Sequence, residues 1–322
     1  MQQPELSAAA GEAGIQLSMP ADRRHLHLQH GPIDLIIRAE GSEQAVSRAY
    51  QRAVVRFETV LTELVSEVSL LKQGVGFCSE QHRGQSLLNG STAKRMWRAA
   101  VSMPGAAFRT PMIAVAGAVA DEMLHTMLDC TSSTARRGTD LTRVFVNNGG
   151  DIAVYLDDVC ALDIGLVRNP QVPSIRDVLR LKSTDSPRGV ATSGRHGRSL
   201  SLGIADSVTV LARNAAMADA AATLIANEID LPGHRSIERV PAVDLDDTSD
   251  LQNRLVTVDV GALSQAEVAR ALARGQALAK HMMTLGLIDD CLMCLQDCAV
   301  MCGKVLRRSI ESSTRPAPVA AA

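Results

Sequence analysis

Four stretches of the chain combine residue types and spacings that can do chemistry. The first is Asn147-Asn148-Gly149-Gly150-Asp151, set between the apolar runs Arg143 to Val146 and Ile152 to Leu156. Adjacent glycines let a backbone take positive φ and let a ligand rest against bare amides. Asp151 beside them can accept from ribose or ribityl hydroxyls, or act as an acid or base. The same residues also make an ordinary hairpin turn. The second stretch runs from Gly189 through Ala191-Thr192-Ser193-Gly194-Arg195-His196-Gly197-Arg198 to Ser199. Its amides and hydroxyls can donate to phosphate oxygens while Arg195 and Arg198 neutralise the charge. It matches neither a Walker loop nor a dinucleotide fingerprint, and a plain polar loop is the competing reading.

The third stretch is Asp219-Ala220-Ala221-Ala222-Thr223. Four residues apart on a helix, the carboxylate and the hydroxyl share one face. Both are hard oxygen donors suited to Mg²⁺. The fourth is Cys291, Cys294, Cys298 and Cys302. On one unbroken helix, at ~100° and ~1.5 Å per residue, they form a narrow stripe whose ends lie about 16 Å apart. One tetrahedral ion cannot reach all four, and the spacing departs from the common iron–sulfur run. The stripe therefore reads as a buried seam or a helix contact between subunits rather than an iron–sulfur site. Among the histidines, His25, His27, His30 and His125 form no metal set. His196, flanked by glycine and arginine, is the one to test as a general acid or base.

The elements that must position these groups follow from periodicity. His25 to Ala39 reads as two strands around Gly31-Pro32. Ser42 to Lys72 reads as a long amphipathic helix, and a second helix opens at Gly90-Ser91-Thr92 with a hydroxyl N-cap from Ser91 or Thr92. A third helix, Ala114 to Met127, is small-sided (AVAGAVA) and lets another backbone approach closely. Strands are expected on both sides of the Asn147–Asp151 turn, then at Gly189 to Arg195, Ser199 to Leu202 and Ser207 to Ala212. Ala215 to Asn227 reads as a helix, Asp230 to Asp250 as a loop, and Leu255 to Val260 as a strand. Gln265 to Leu285 and Asp289 to Ile310 read as helices. The domain reading is a loose segment 1–21, a core 22–234, a strand and helices over 235–311, and a disordered tail 312–322. Interleaved strands and helices without regular βαβ alternation give a mixed α+β class.

Composition removes several function classes. The 322 residues carry 33 Lys+Arg against 35 Asp+Glu, a net charge of −2, which does not suit electrostatic nucleic-acid binding. Aromatics make up only 2%, too few for base-stacking platforms. The most apolar stretch, Pro111 to Leu128, is broken by Asp121, Glu122 and His125, so no membrane span is expected. The early residues lack the pattern of a secretory signal or lipoprotein anchor. Seven cysteines fit a reducing compartment, and a cytoplasmic location is the expectation.

Taken in order, GAVAD (Gly117–Asp121), NNGGDI (Asn147–Ile152), ATSG (Ala191–Gly194), SVTVLA (Ser207–Ala212) and ADAAAT (Ala218–Thr223) resemble the ApbE-like superfamily, which includes the FAD:protein FMN transferases. QHGPIDL (Gln29–Leu35) and VTVDVGAL (Val256–Leu263) bring the chain closer to an uncharacterised cytoplasmic branch, over roughly residues 22 to 290. The resemblance implies a two-lobed ApbE-like fold that binds FAD or FMN. It implies Mg²⁺ on Asp219 and Thr223, with a carbonyl near Ala118–Ala120 as a further ligand. It also implies flavin contacts at Asn148, Gly149, Gly150 and Asp151, and at Thr192, Ser193 and Gly194.

Two departures separate the chain from the transferases. Their His-x-x-Asp-Pro segment is missing from Arg195 to Asp206, and Asp121 stands where they carry lysine. The resemblance then implies a flavin-dependent oxidoreductase or reductase component, such as one acting on an N-heterocycle like 6-hydroxynicotinate. Its partners would be a small-molecule flavin or nucleotide and an electron-donor protein, in a homo-oligomer. FMN transfer to protein and non-catalytic flavin binding are the alternatives.

Overall fold

The structure is a computed structural model that describes residues 14–19, 25–75, 87–105, 107–128, 140–167 and 175–308. Residues 1–13 of the segment expected to be loose, and the tail 312–322, lie outside the described residues. The class is mixed α+β, as expected, and every strand pair with a recorded register is antiparallel. The chain divides into two compact units. Unit 1 comprises residues 1–160, 188–190 and 214–217, and unit 2 comprises 161–187, 191–213 and 218–322.

In unit 1, β1 (Gln16–Ser18), β2 (Leu26–His30), β3 (Ile33–Gly41), β4 (Leu141–Asn148) and β5 (Asp151–Leu156) pair in sequence order. Gly189 and Val190, the start of β8 (Gly189–Ser193), follow opposite Ala153 and Ile152. Three of the expected loose residues thus form β1, which pairs with β2. Alternation in β2 and β3 buries Leu26, Leu28, Leu35 and Ile37 completely. Helices α1 (Glu43–Ser66) and α4 (Val115–Met127) pack on this sheet. Ser42 caps α1 by accepting from the Ala45 amide at 3.3 Å, and α2 (Val68–Leu71) adds one further turn. Helix α3 (Ser91–Ser102) starts from Gly90 without a side-chain cap, contrary to expectation. The Ser91 hydroxyl instead donates to Glu122, which also accepts from Arg56 and Arg95 at 3.0 Å each. Burial opposes the charge on Glu122, and these bonds hold its carboxyl below the usual range. One carboxylate thereby ties α1, α3 and α4 together.

In unit 2, the last residues of β8 lead a sheet of order β8-β9-β12-β13, with β9 (Ser207–Ala212), β12 (Asp290–Leu295) and β13 (Cys298–Cys302). Two hairpins accompany it: β6 (Ala161–Val167) with β7 (Ile175–Lys182), and β10 (Ile237–Pro241) with β11 (Leu255–Val260). Helix α5 (Ala215–Glu228) passes from unit 1 into unit 2 at Ala218. The other helices here are α6 (Ala242–Leu245) and α7 (Gln265–Thr284), the second opened by a capping box of Ser264 and Glu267.

The expected helix from Asp289 is a correction. The segment turns at Gln296 (φ +51) into the β12–β13 hairpin, where Cys291 pairs with Cys302 and Leu295 with Cys298. All six residues of β12 are buried. A strand covered on both faces reads as a continuous apolar run, and the cysteine spacing of three and four imitated a helical stripe. On the strand, Cys291 and Cys294 point to opposite faces, so the helical seam does not exist. Ser199 to Leu202 forms no strand, and the expected loop from Asp230 to Asp250 contains β10 and α6.

Candidate functional site

Unit 2 brings together two of the stretches singled out by chemistry. Strand β8 ends at Ser193, and α5 carries Asp219 and Thr223 one turn apart, both half-buried. Thr223 Oγ1 donates to Ser193 Oγ at 3.5 Å, and the Thr192 and Thr209 hydroxyls lie 2.9 Å apart. One residue of the expected metal pair, Thr223, therefore meets one residue of the expected phosphate segment, Ser193. Thr209 was not anticipated; it follows from β9 lying next to β8.

The loop beyond Ser193 is latched by a residue the motifs did not flag. Asp206 is 4% exposed. Its Oδ1 accepts from Arg195 Nε at 2.9 Å and lies 3.3 Å from His196 Nε2, while its Oδ2 accepts from the Gln296 amide. Gly194 makes the close approach possible: its φ is +155°, and a Cβ there would lie 2.4 Å from the Asp206 carbonyl. Burial, reinforced by the Arg195 charge, holds the His196 imidazole below its usual pKa, and Asp206 pulls the other way. His196 is accordingly neutral at pH 7. Arg198 sits exposed farther along the loop. Only the placement of Asp206 directly before SVTV hinted at its role.

In unit 1 the Asn147–Asp151 turn joins β4 to β5 as expected. Gly149 and Gly150 take φ of +63° and +113°, and a Cβ on either would meet nothing within 4 Å. The glycines answer a conformational demand, and the space beside them is open. Asn147 Oδ1 accepts from the Gly150 amide at 2.8 Å. Asn148 is buried: its amide donates to the Ala116 carbonyl at 3.1 Å and accepts from the Asp34 amide at 3.4 Å. It clamps the turn to the start of α4. Asp151 is buried as well.

Asp121 also has a defined place in unit 1. Its two oxygens accept from the Ala215 and Ala216 amides at 3.0 and 2.8 Å, filling the N-terminus of α5. Desolvation dominates over these bonds and raises its pKa to about 6. Ala118–Ala120 lie inside α4, where their carbonyls already accept the helix's own amides.

The donor set at Asp219, Thr223 and Ser193 suits Mg²⁺, which commonly binds through one or two carboxylates, with phosphate and water completing the shell. Among the described residues, no group of three or more His, Cys, Asp and Glu side chains is arranged to hold a metal. No described helix is long and apolar enough to cross a membrane.

The family model described as AbpE bacteria matches residues 17–306. The chain belongs to that family. Membership bears out the ApbE-like resemblance carried by the ordered motifs. Relatives of this AbpE bacteria family member include a UPF0280 protein from Methanobrevibacter smithii, 36% identical over 121 residues, or 37% of this chain and 45% of that protein. Another, from Methanococcus vannielii, is 37% identical over 118 residues, 36% of this chain and 44% of that protein. The chain spans about half the length of the curated relatives it matches. The crystal structure of the ApbE protein from Thermotoga maritima matches over 86% of this chain and 95% of that one, at 12% identity and a TM-score of 0.40.

Proposed function

We propose that the protein binds a flavin nucleotide, FAD or FMN, together with Mg²⁺, and works as a flavin-dependent oxidoreductase or reductase component. The observation that supports this reading is the Thr223–Ser193 hydrogen bond of 3.5 Å, which joins one residue of the proposed metal pair to one of the proposed phosphate segment within unit 2. Asp219 and Thr223 hold the cation. Thr192, Ser193 and the Gly194 amide bind phosphate oxygens, and Arg198 contributes charge from the loop. Arg195 already neutralises Asp206 and acts mainly by holding the loop. A bound flavin would supply a two-electron carrier. With Nε2 turned toward Asp206, His196 moves a proton through Nδ1. Contact of the Gly149-Gly150 amides and Asp151 with the flavin is a separate proposal, tested by variants of that turn.

Calorimetry with FAD and FMN, with and without Mg²⁺, tests the binding. Wild type should bind more tightly with Mg²⁺, and Asp219→Asn should lose that dependence while keeping its melting temperature. Unchanged affinity in the variant refutes the metal assignment. A visible flavin band bleached by a reduced electron-donor protein, and restored on adding an N-heterocycle such as 6-hydroxynicotinate, supports the reductase. Tight binding without turnover points to an accessory role. Covalent FMN on a threonine-bearing acceptor, seen by mass, replaces the reductase reading with transfer.

A further inference from the structure

A second polar site lies in unit 2, built from residues that the flavin reading does not use. Met283 at the end of α7 and Gly303, Lys304, Arg307 and Arg308 line an open surface pocket of about 410 Å³. That volume falls within the ~300–1,000 Å³ range of small-molecule sites. We infer that this pocket binds the phosphate group of a small metabolite.

The cations are held by a fixed backbone. Gly303 (φ +104°) packs so closely on Asp290 that a Cβ would lie 2.2 Å from its carboxylate. Asp290 then accepts from the Val305 and Leu306 amides at 3.3 and 3.2 Å, which ties the segment to β12. Lys304, Arg307 and Arg308 stand three and four positions apart, so the helical turn at 305–308 brings them to one side.

The charge balance favours an anion. Arg308 is paired with Asp185 at 2.8 Å. Among the described residues Lys304 and Arg307 make no ion pair, and both are exposed. Lys280, one turn before Met283 on α7, adds positive charge: it and Arg307 both act on the Cys302 thiol. The neighbouring carboxylates Asp289 and Asp290 already accept hydrogen bonds, Asp289 from Ser186 and Asp290 from the two amides of the segment itself. An ammonium beside a guanidinium suits a phosphate dianion, with the guanidinium able to donate two parallel bonds. Met283 adds an apolar wall for whatever carries the phosphate.

The test uses the full chain without Mg²⁺ at low salt, titrated by calorimetry with inorganic pyrophosphate and, separately, with AMP. Saturable binding of either at one site is expected, and AMP binding more tightly than pyrophosphate would identify an organic phosphate as the natural source. The double variant Lys304→Ala/Arg307→Ala should weaken binding at least tenfold. Arg98→Ala/Arg270→Ala, which removes the same charge elsewhere, should leave it within twofold. No saturable binding of either probe, or equal losses in both double variants, overturns the proposal. Asp219→Asn should leave this binding unchanged, so failure here and failure of the flavin reading are separable.

Discussion

Replacing Asp121 by Asn tests the electrostatics at the head of the helix that carries the proposed metal pair. The wild-type carboxyl is buried, bonded to two amides, and has its pKa raised from 3.8 to about 6. A carboxyl that holds its proton more tightly when folded gives stability that rises as pH falls from above 6 toward 4. At ~1.4 kcal/mol per tenfold change in proton affinity, the wild type should gain up to about 3 kcal/mol over that interval. Asp121→Asn removes this proton and keeps one acceptor. Urea unfolding of both proteins from pH 4 to 7.5 should therefore give a stability difference that sets in near pH 6 and grows in favour of wild type on further acidification. Asp290, also raised to about 6 by burial, has the same sign but is common to both proteins and cancels in the difference. The depressed carboxyls Glu63, Glu122 and Asp185 lose stability at lower pH and cancel likewise. Parallel curves across the whole range would refute the reasoning.

Asp206→Ala leaves Arg195 and His196 without their buried acceptor, and chemical denaturation should show a loss of about 3–5 kcal/mol, as for a broken buried ion pair. Gly150→Ala places a Cβ at φ +113° with no clash; the strain of about 1–2 kcal/mol should appear as a lower melting temperature, and no change would count against the turn geometry. Glu267, whose pKa of about 2 rests first on its bonds from Ser264, should titrate closer to an ordinary glutamate in Ser264→Ala, as followed by carbon NMR of the carboxyl.

Much of this protein was written locally. The alternation from His25 to Ala39, the Asn147–Asp151 hairpin and the helices over 215–228 and 265–284 are set by periods of 2 and 3.6 and by turn chemistry, which act over a few residues. The same local logic placed Asp219 and Thr223 on one helical face and put Ser193 at a strand end. It failed where burial on both faces erased the period. The β12–β13 hairpin was taken for a helix because all six residues of β12 are covered, and β6 and β7 went unread.

The sequence alone determined the α+β class, the ordered motifs of the family, and which residue types could hold a cation or a phosphate. The tertiary structure decided which of them meet. Thr223 reaches Ser193 across 30 positions, Asp206 gathers Arg195, His196 and the Gln296 amide 90 positions away, and Asp121 reaches the Ala216 amide across 95. No residue in these sets is periodic with its partner. Their encounters come from strand pairing and helix packing, whose free energy is spread over apolar side chains far from the polar atoms that end up in contact.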